Sequence, residues 1–149
     1  MKGLSLWQPH AQAIALGLKP YETRHWPTRY RGPLAVHAAK RLWNPADSWD
    51  QEALRQLGDT PTVYGAVVCI ADLVDCIPTA QLIGRLSEIE EFWGNFGPDR
   101  FAFRLENIRV LEQPLPYRGM QGFFEVDTLA PFTPKVDVPA PLAQLSLNL

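Results

Sequence analysis

The sequence predicts an α+β domain: a small β-barrel of five to six mostly antiparallel strands with short helices around it. Three observations carry this expectation. The chain has 149 residues, the size of one domain rather than two. Short stretches of strand-like alternation recur along it, separated by segments of helical period and by Gly and Pro stops. With 46% hydrophobic and 11% aromatic residues, the composition supports a buried core and excludes wholesale disorder.

Taken in order, residues 3 to 7, GLSLW, read as a short strand. Trp7, which ends that apolar run, is expected to pack in the core. Pro9 fits a first helical position, Ala11, Ile14 and Ala15 follow, and Gly17 supplies the stop of a helix of about two turns. In YETRHW an extended chain places Glu22, Arg24 and Trp26 on one face and Tyr21, Thr23 and His25 on the other. Gly32 and Pro33 mark a turn into a strand with Leu34, Val36 and Ala38 toward the core and His37 opposite, a strand expected to pair near the preceding one. Asp47 to Leu57 reads as an amphipathic helix with Trp49, Ala53 and Leu57 on its inner face and Gly58 as its stop.

GAVVCIADLVDCI is apolar on both faces and rich in Val and Ile, as expected of a central strand. Thr79 is expected to cap one helical stretch, and Ser87 with Glu90 has the spacing of a capping box ahead of Phe92 and Trp93. RFAFRLENIRVL alternates, with Phe101, Phe103 and Leu105 facing one way and Arg104 and Glu106 the other, and GFFEV supplies a last strand. Both read as antiparallel elements. Residues 128–149 hold four prolines, which predicts an extended tail or strap rather than a regular element. The division is therefore 1–127 for the domain and 128–149 for the tail.

Charge is distributed unevenly. The net charge is -2, yet up to residue 45 there are seven bases, Lys2, Lys19, Arg24, Arg29, Arg31, Lys40 and Arg41, against the single acid Glu22. Beyond it fifteen acids outnumber seven bases. A basic N-terminal third on an acidic body implies a local anion-binding surface, since local potential and not net charge steers phosphates. No stretch approaches the roughly 20 apolar residues of a membrane span, and the opening MKGLSLWQPH lacks an apolar signal core. A soluble cytoplasmic protein is expected, with Cys69 and Cys76 as reduced thiols. No phosphate-loop or dinucleotide glycine pattern is present, and His10, His25 and His37 have no metal-ligand spacing, so no cofactor or metal is expected.

Gly17, Lys19, Glu22 and Arg24, in GLKPYETR, reproduce the G-x-K-x-x-E-x-R signature of the ASCH domain family. With LSLWQPHAQAIALGLKPYETRHW before it and TRYRGPLAVHAAK after it, the chain resembles the bacterial and phage branch of that family over about residues 2 to 126. The resemblance implies a PUA-like β-barrel with a cleft beside the signature, and a role in binding RNA or modified nucleosides. Some members resemble amidohydrolases that deacetylate N4-acetylcytidine, using the Lys of the signature with a Thr and an acidic residue. Here Glu22 stands at the position of that Thr, so Lys19 carries over and the full catalytic set does not.

Three readings of function follow. The leading one is a module binding single-stranded or modified RNA through Lys19, Glu22, Arg24, Trp26, Arg29, Arg31, His37 and Lys40, with Trp7 or Trp26 able to stack on an unpaired base. His37 is either a hydrogen-bonding group in the cleft or a satisfied, partly buried histidine. Glu22 and Arg24 either pair with each other or split between a base edge and a phosphate. The second reading is a hydrolase of a modified nucleoside, or a ribonuclease, with Lys19 and Glu22 as the reacting pair. The third is a protein-interaction domain that docks through its Pro-rich tail.

Overall fold

A computed structural model describes residues 1–127 and the strand Pro134–Asp137. The elements run β1 (Lys2–Leu6), α1 (His10–Ala15), β2 (Tyr21–Arg24), β3 (Gly32–Ala38), α2 (Ser48–Leu57), β4 (Ala66–Pro78), a 3₁₀ turn at Thr79–Gln81, α3 (Glu88–Trp93), β5 (Phe101–Pro116), β6 (Phe123–Glu125) and β7 (Pro134–Asp137). The strands form one sheet in the order β2-β5-β4-β3-β1-β6, with β7 also paired to β5. Its pairs are antiparallel except β1 with β3.

The parallel pair corrects one expectation. β3 does not pair with β2; it lies between β1 and β4, while β2 pairs with β5. The loop 25–31 carries the chain across the sheet, a non-local step that turn chemistry alone does not encode. β4 occupies the middle, as its apolar run predicts, because both of its faces are covered. Leu4, Leu34, Val36, Cys69, Ala71, Leu73, Phe103 and Leu105 pack on one face with Ile14 of α1. Ala35, Val67, Ile70, Leu111, Phe124 and Val126 pack on the other. For the same reason His37, on the face opposite Leu34 and Val36, is buried as well: every residue from Leu34 to Ala38 is enclosed.

Register shifts interrupt β4–β5 pairing at three places and β3–β4 pairing at Val36/His37, and such bulges bend a sheet and increase its twist. The curled sheet brings its ends, β2 and β6, toward each other. Trp26, just after β2, bridges the gap edge-on, with ring centroids 5.3 Å from Phe103 and 5.1 Å from Phe123. Side chains thus complete the barrel-like wall where the backbone ladder ends.

The helices form a separate cluster, in which Trp93 is fully buried against Ala13, Leu18, Ala53 and Leu57. Trp49 stacks on Phe92 at 4.8 Å. Capping boxes start two of the three helices: Asp47 with Asp50 for α2, and Ser87 with Glu90 for α3. Thr79 does not cap. Its hydroxyl donates to the carbonyls of Gly97 and Arg100, tying the turn to the start of β5.

Candidate functional site

The signature acquires its geometry from the end of α1. Gly17 has φ 77°, a left-handed conformation that glycine adopts without strain. Its amide donates to Ile14 O at 3.0 Å, and Leu18 N donates to Ala13 O at 2.9 Å, the two bonds that close a helix in a Schellman motif. This turn aims the next residues back at the core, so Leu18 enters the helical cluster and Lys19 is only 2% exposed. Pro20 then starts the chain into β2, whose alternation buries Tyr21, Glu22 and Thr23.

Lys19 donates to the carbonyl of Trp93, and its Nζ lies 3.4 Å from Glu22 Oε1. Arg24 grips the other carboxylate oxygen, Nε to Oε2 at 2.8 Å, and donates through Nη2 to Ser5 O at 2.9 Å. Glu22 is therefore shared by two cations, and of the two arrangements open from sequence the structure has the internal pair. Burial lowers the Lys19 ammonium from its ordinary value, against the opposing pull of Glu22. Burial pushes the Glu22 carboxyl up, but Lys19 and Arg24 outweigh it and hold the group below the ordinary carboxylate range. The asymmetry has a simple origin: Glu22 has two cations beside it, whereas Lys19 shares its one carboxylate and also feels Arg24 and Arg100 as like charges.

These groups line a cavity of about 1590 Å³. Lys19, Glu22, Arg24, Trp26, His37 and Lys40 all contribute to its wall. Arg29 and Arg31 do not. Arg31 turns away to pair with Asp75 at 3.7 Å and to donate to Thr28 O and Tyr30 O; Arg29 is exposed outside the cavity. The basic patch read from the N-terminal third is thus only partly one surface.

Trp7 and Trp26 exchange the expected roles. Trp26 wedges into the wall described above, while Trp7, expected in the core, is 60% exposed at the cavity. Strand alternation ends at Leu6, and the turn into α1 rotates the next side chain outward. Arg41 stacks on the indole, its Cζ 3.8 Å from the ring centre.

His37 takes the satisfied reading. Its Nδ1 accepts from Ser5 Oγ at 2.9 Å and its Nε2 donates to Tyr117 O at 2.7 Å. Burial lowers its pKa, and the Tyr117 carbonyl partly restores it. Residues 116–122, between β5 and β6, line the cavity with this histidine beneath them. Gly119 presses so closely that a Cβ there would lie 2.6 Å from the imidazole Cε1.

Further lining residues came from parts of the chain that carried no motif. Arg100 donates to Thr23 O at 3.0 Å and Asn95 O at 3.1 Å, with Nη1 2.9 Å from His25 Nε2. Arg118 and Gln121 come from the β5–β6 loop. His10, at the start of α1, lies beside Trp49 and Trp93; burial and the nearby Lys19 charge press its pKa down to about 4, against Glu22. Its Nδ1 is buried without a hydrogen-bond partner among the described residues. The lining accordingly holds five cations, Lys19, Arg24, Lys40, Arg100 and Arg118, and one carboxylate, Glu22.

Comparison with known proteins gives a consistent picture. The ASCH domain family matches residues 4–115. The chain is 25% identical over 132 residues to activating signal cointegrator 1 of Mus musculus and of Homo sapiens, covering 84% of this chain and 22% of each relative. It thus spans about a fifth of the length of those proteins. A crystal structure of ASCH from Zymomonas mobilis superposes with TM-score 0.54 at 17% identity, covering 85% of this chain and 87% of the other. A single-residue variant of that protein superposes with TM-score 0.53, again at 17% identity, with 85% and 90% covered. At such identities the likeness shows the fold.

Proposed function

The chain belongs to the ASCH domain family, and on that premise we propose that it binds single-stranded or modified RNA in the basic cavity. The observation that carries the reading is the charge of the lining, five cations to one carboxylate, in a chain whose net charge is -2. Such a concentration of positive charge favours a polyanion over a neutral ligand. The volume, about 1590 Å³, exceeds the roughly 300–1,000 Å³ usual for a site enclosing one small ligand, which suits a length of strand better than a lone nucleoside.

The roles divide by exposure. Lys40 and Arg118 are exposed and take phosphates; Lys19, Glu22 and Arg24 are hydrogen-bonded to one another and to backbone and hold the floor. The test is a titration of a labelled oligouridylate at two salt concentrations. Affinity should fall steeply with salt, and Lys40→Ala and Arg118→Ala should each weaken binding and flatten the slope of log K against log salt by roughly 0.7 per lost contact. Salt-independent binding, or variants indistinguishable from the parent, would refute the reading.

A second reading, amide hydrolysis on a modified nucleoside, is favoured by one observation: Lys19 is a buried amine with a lowered pKa, beside a carboxylate and in a cavity. It ranks second because both Glu22 oxygens are already engaged by Lys19 and Arg24. Release of cytidine from N4-acetylcytidine, abolished in Glu22→Gln, would decide in its favour.

A further inference from the structure

An indole that is 60% exposed at the mouth of a cavity is costly to maintain unless something covers it, because aromatic side chains carry the largest apolar surfaces. Trp7 is held there by a rigid turn. Its carbonyl accepts from His10 N at 3.0 Å, and its neighbour Gln8 is buried, donating through Nε2 to Val63 O at 2.7 Å and accepting from Gln12 N at 2.9 Å. The ring is therefore presented by fixed backbone rather than by a swinging loop.

Its surroundings state the chemistry of the occupant. The Arg41 guanidinium lies over one face of the indole, 3.8 Å from the ring centre, a cation–π stack that leaves the other face to an occupant. Lys40 lies on the same stretch of chain and lines the cavity, as does Met120, 56% exposed on the β5–β6 loop. The π-surface that Arg41 leaves uncovered, with that cation stacked on the ring and Lys40 next to it in the chain, fits a ligand that joins a planar ring to a negative charge.

We propose that Trp7 is a stacking platform for one unpaired nucleobase at the entrance to the cavity, with Arg41 and Lys40 meeting the phosphates on either side of that nucleotide. The assignment rests on the RNA-binding reading and adds its subsite: the contact is through the face of the base, so it tolerates any base and requires that one be present. Protein side chains or a second copy of the chain are the competing occupants, and the flanking cations favour the nucleotide over both.

The experiment compares two labelled strands of equal length, an oligouridylate and an abasic strand with the same phosphates, titrated against the full chain and its Trp7→Ala and Trp7→Phe variants. The parent should prefer the base-bearing strand. Trp7→Ala should lose about 5- to 150-fold in affinity for it, the range measured for stacked bases, and bind the abasic strand as the parent does. Trp7→Phe should retain most of the preference. Equal binding of both strands by parent and Trp7→Ala would overturn the platform while leaving the basic cavity intact. Parallel loss on both strands would assign Trp7 to the architecture instead and overturn it too. Failure of the parent to bind either strand would remove the RNA-binding reading together with its subsite, and a parent dimer that Trp7→Ala converts to monomer would give the surface to a second copy.

Discussion

Glu22→Gln isolates the electrostatics of the cavity floor, because it keeps the shape of the side chain and removes only the charge. In the parent, Glu22 Oε1 lies 3.4 Å from Lys19 Nζ and Oε2 lies 2.8 Å from Arg24 Nε. Arg24 reaches solvent in part, but Lys19 is 2% exposed and among the described residues has only the Trp93 carbonyl besides the carboxylate. Leaving a buried charge unpaired costs about 3–5 kcal/mol. Glutamine retains an oxygen that can accept one hydrogen bond, which places the expected loss near the lower end, about 3 kcal/mol. For a chain of this size that corresponds to a fall of roughly 6–12 °C in melting temperature.

The pH dependence distinguishes this cause from simple mispacking. Lys19 titrates below its ordinary 10.5 in the folded chain, so between the folded and unfolded values the unfolded chain binds more protons and stability rises with pH. Glu22 holds Lys19 up; removing it lowers the folded value further and extends that interval downward. The deficit of the variant therefore shrinks as pH rises through the parent's folded Lys19 pKa, where the parent's lysine also becomes neutral. On the acid side Glu22 titrates below its ordinary 4.5, so its contribution is present in full above that value and is lost as pH falls through the folded pKa. The deficit should be greatest at intermediate pH and smaller at both ends. Urea unfolding of parent and variant across that range measures it, and a deficit below about 1 kcal/mol, or one flat in pH, would refute the assignment of Lys19 and Glu22 as a coupled buried pair.

Two further outcomes follow from packing. Gly119→Ala places a Cβ 2.6 Å from His37 Cε1 and 2.9 Å from Ser5 Oγ, and His37 is pinned on both nitrogens, so the 116–122 segment must yield; a loss of about 1–3 kcal/mol is expected in urea unfolding, and an unchanged midpoint would show that the contact is soft. A chain ending at Asp127 gives up the β7 pairing with Arg109–Leu111 and keeps every described member of the three apolar clusters; it should melt cooperatively within about 10 °C of the parent, and loss of the cooperative transition would place residues 128–149 in the core.

Local signals were legible in the sequence where the cause was local. The run of Val and Ile in β4, the Ser87–Glu90 capping box and the Gly17 stop each depend on residues a few positions apart, and each appears where its pattern places it. Pairing was less legible. The parallel β1–β3 ladder joins Ser5 to His37 in register, and nothing at either position marks the other. Trp7 was expected in the core and His37 was left open between two readings for one reason: strand alternation gives two faces, but not which of them a later segment will cover. His37 is enclosed by residues from Tyr117 to Phe124, and Trp7 lies one residue beyond the strand. The same distance hid Arg100, Arg118 and Asn95, which carry no motif and reach the cavity only through the path of β5 and its flanking loops.

The partition of charge inside the cavity bears on how a strand would lie in it. At the floor Glu22 offsets one of the two charges of Lys19 and Arg24, and His10 is neutral at physiological pH, so the floor offers hydrogen-bonding groups in a reduced positive field. Among the described residues three further lining cations have no carboxylate partner: Arg100 is spent on the Thr23 and Asn95 carbonyls, whereas Lys40 and Arg118 are exposed. Phosphates lose much hydration on burial and gain most where they meet cations while still partly in water. On the proposed reading the backbone therefore tracks the rim, and only a base, which has both a face to stack and an edge to hydrogen-bond, descends to the floor. The Nδ1 of His10, without a partner among the described residues, belongs to the same lining as Lys19 and Glu22, and a base edge there would satisfy it.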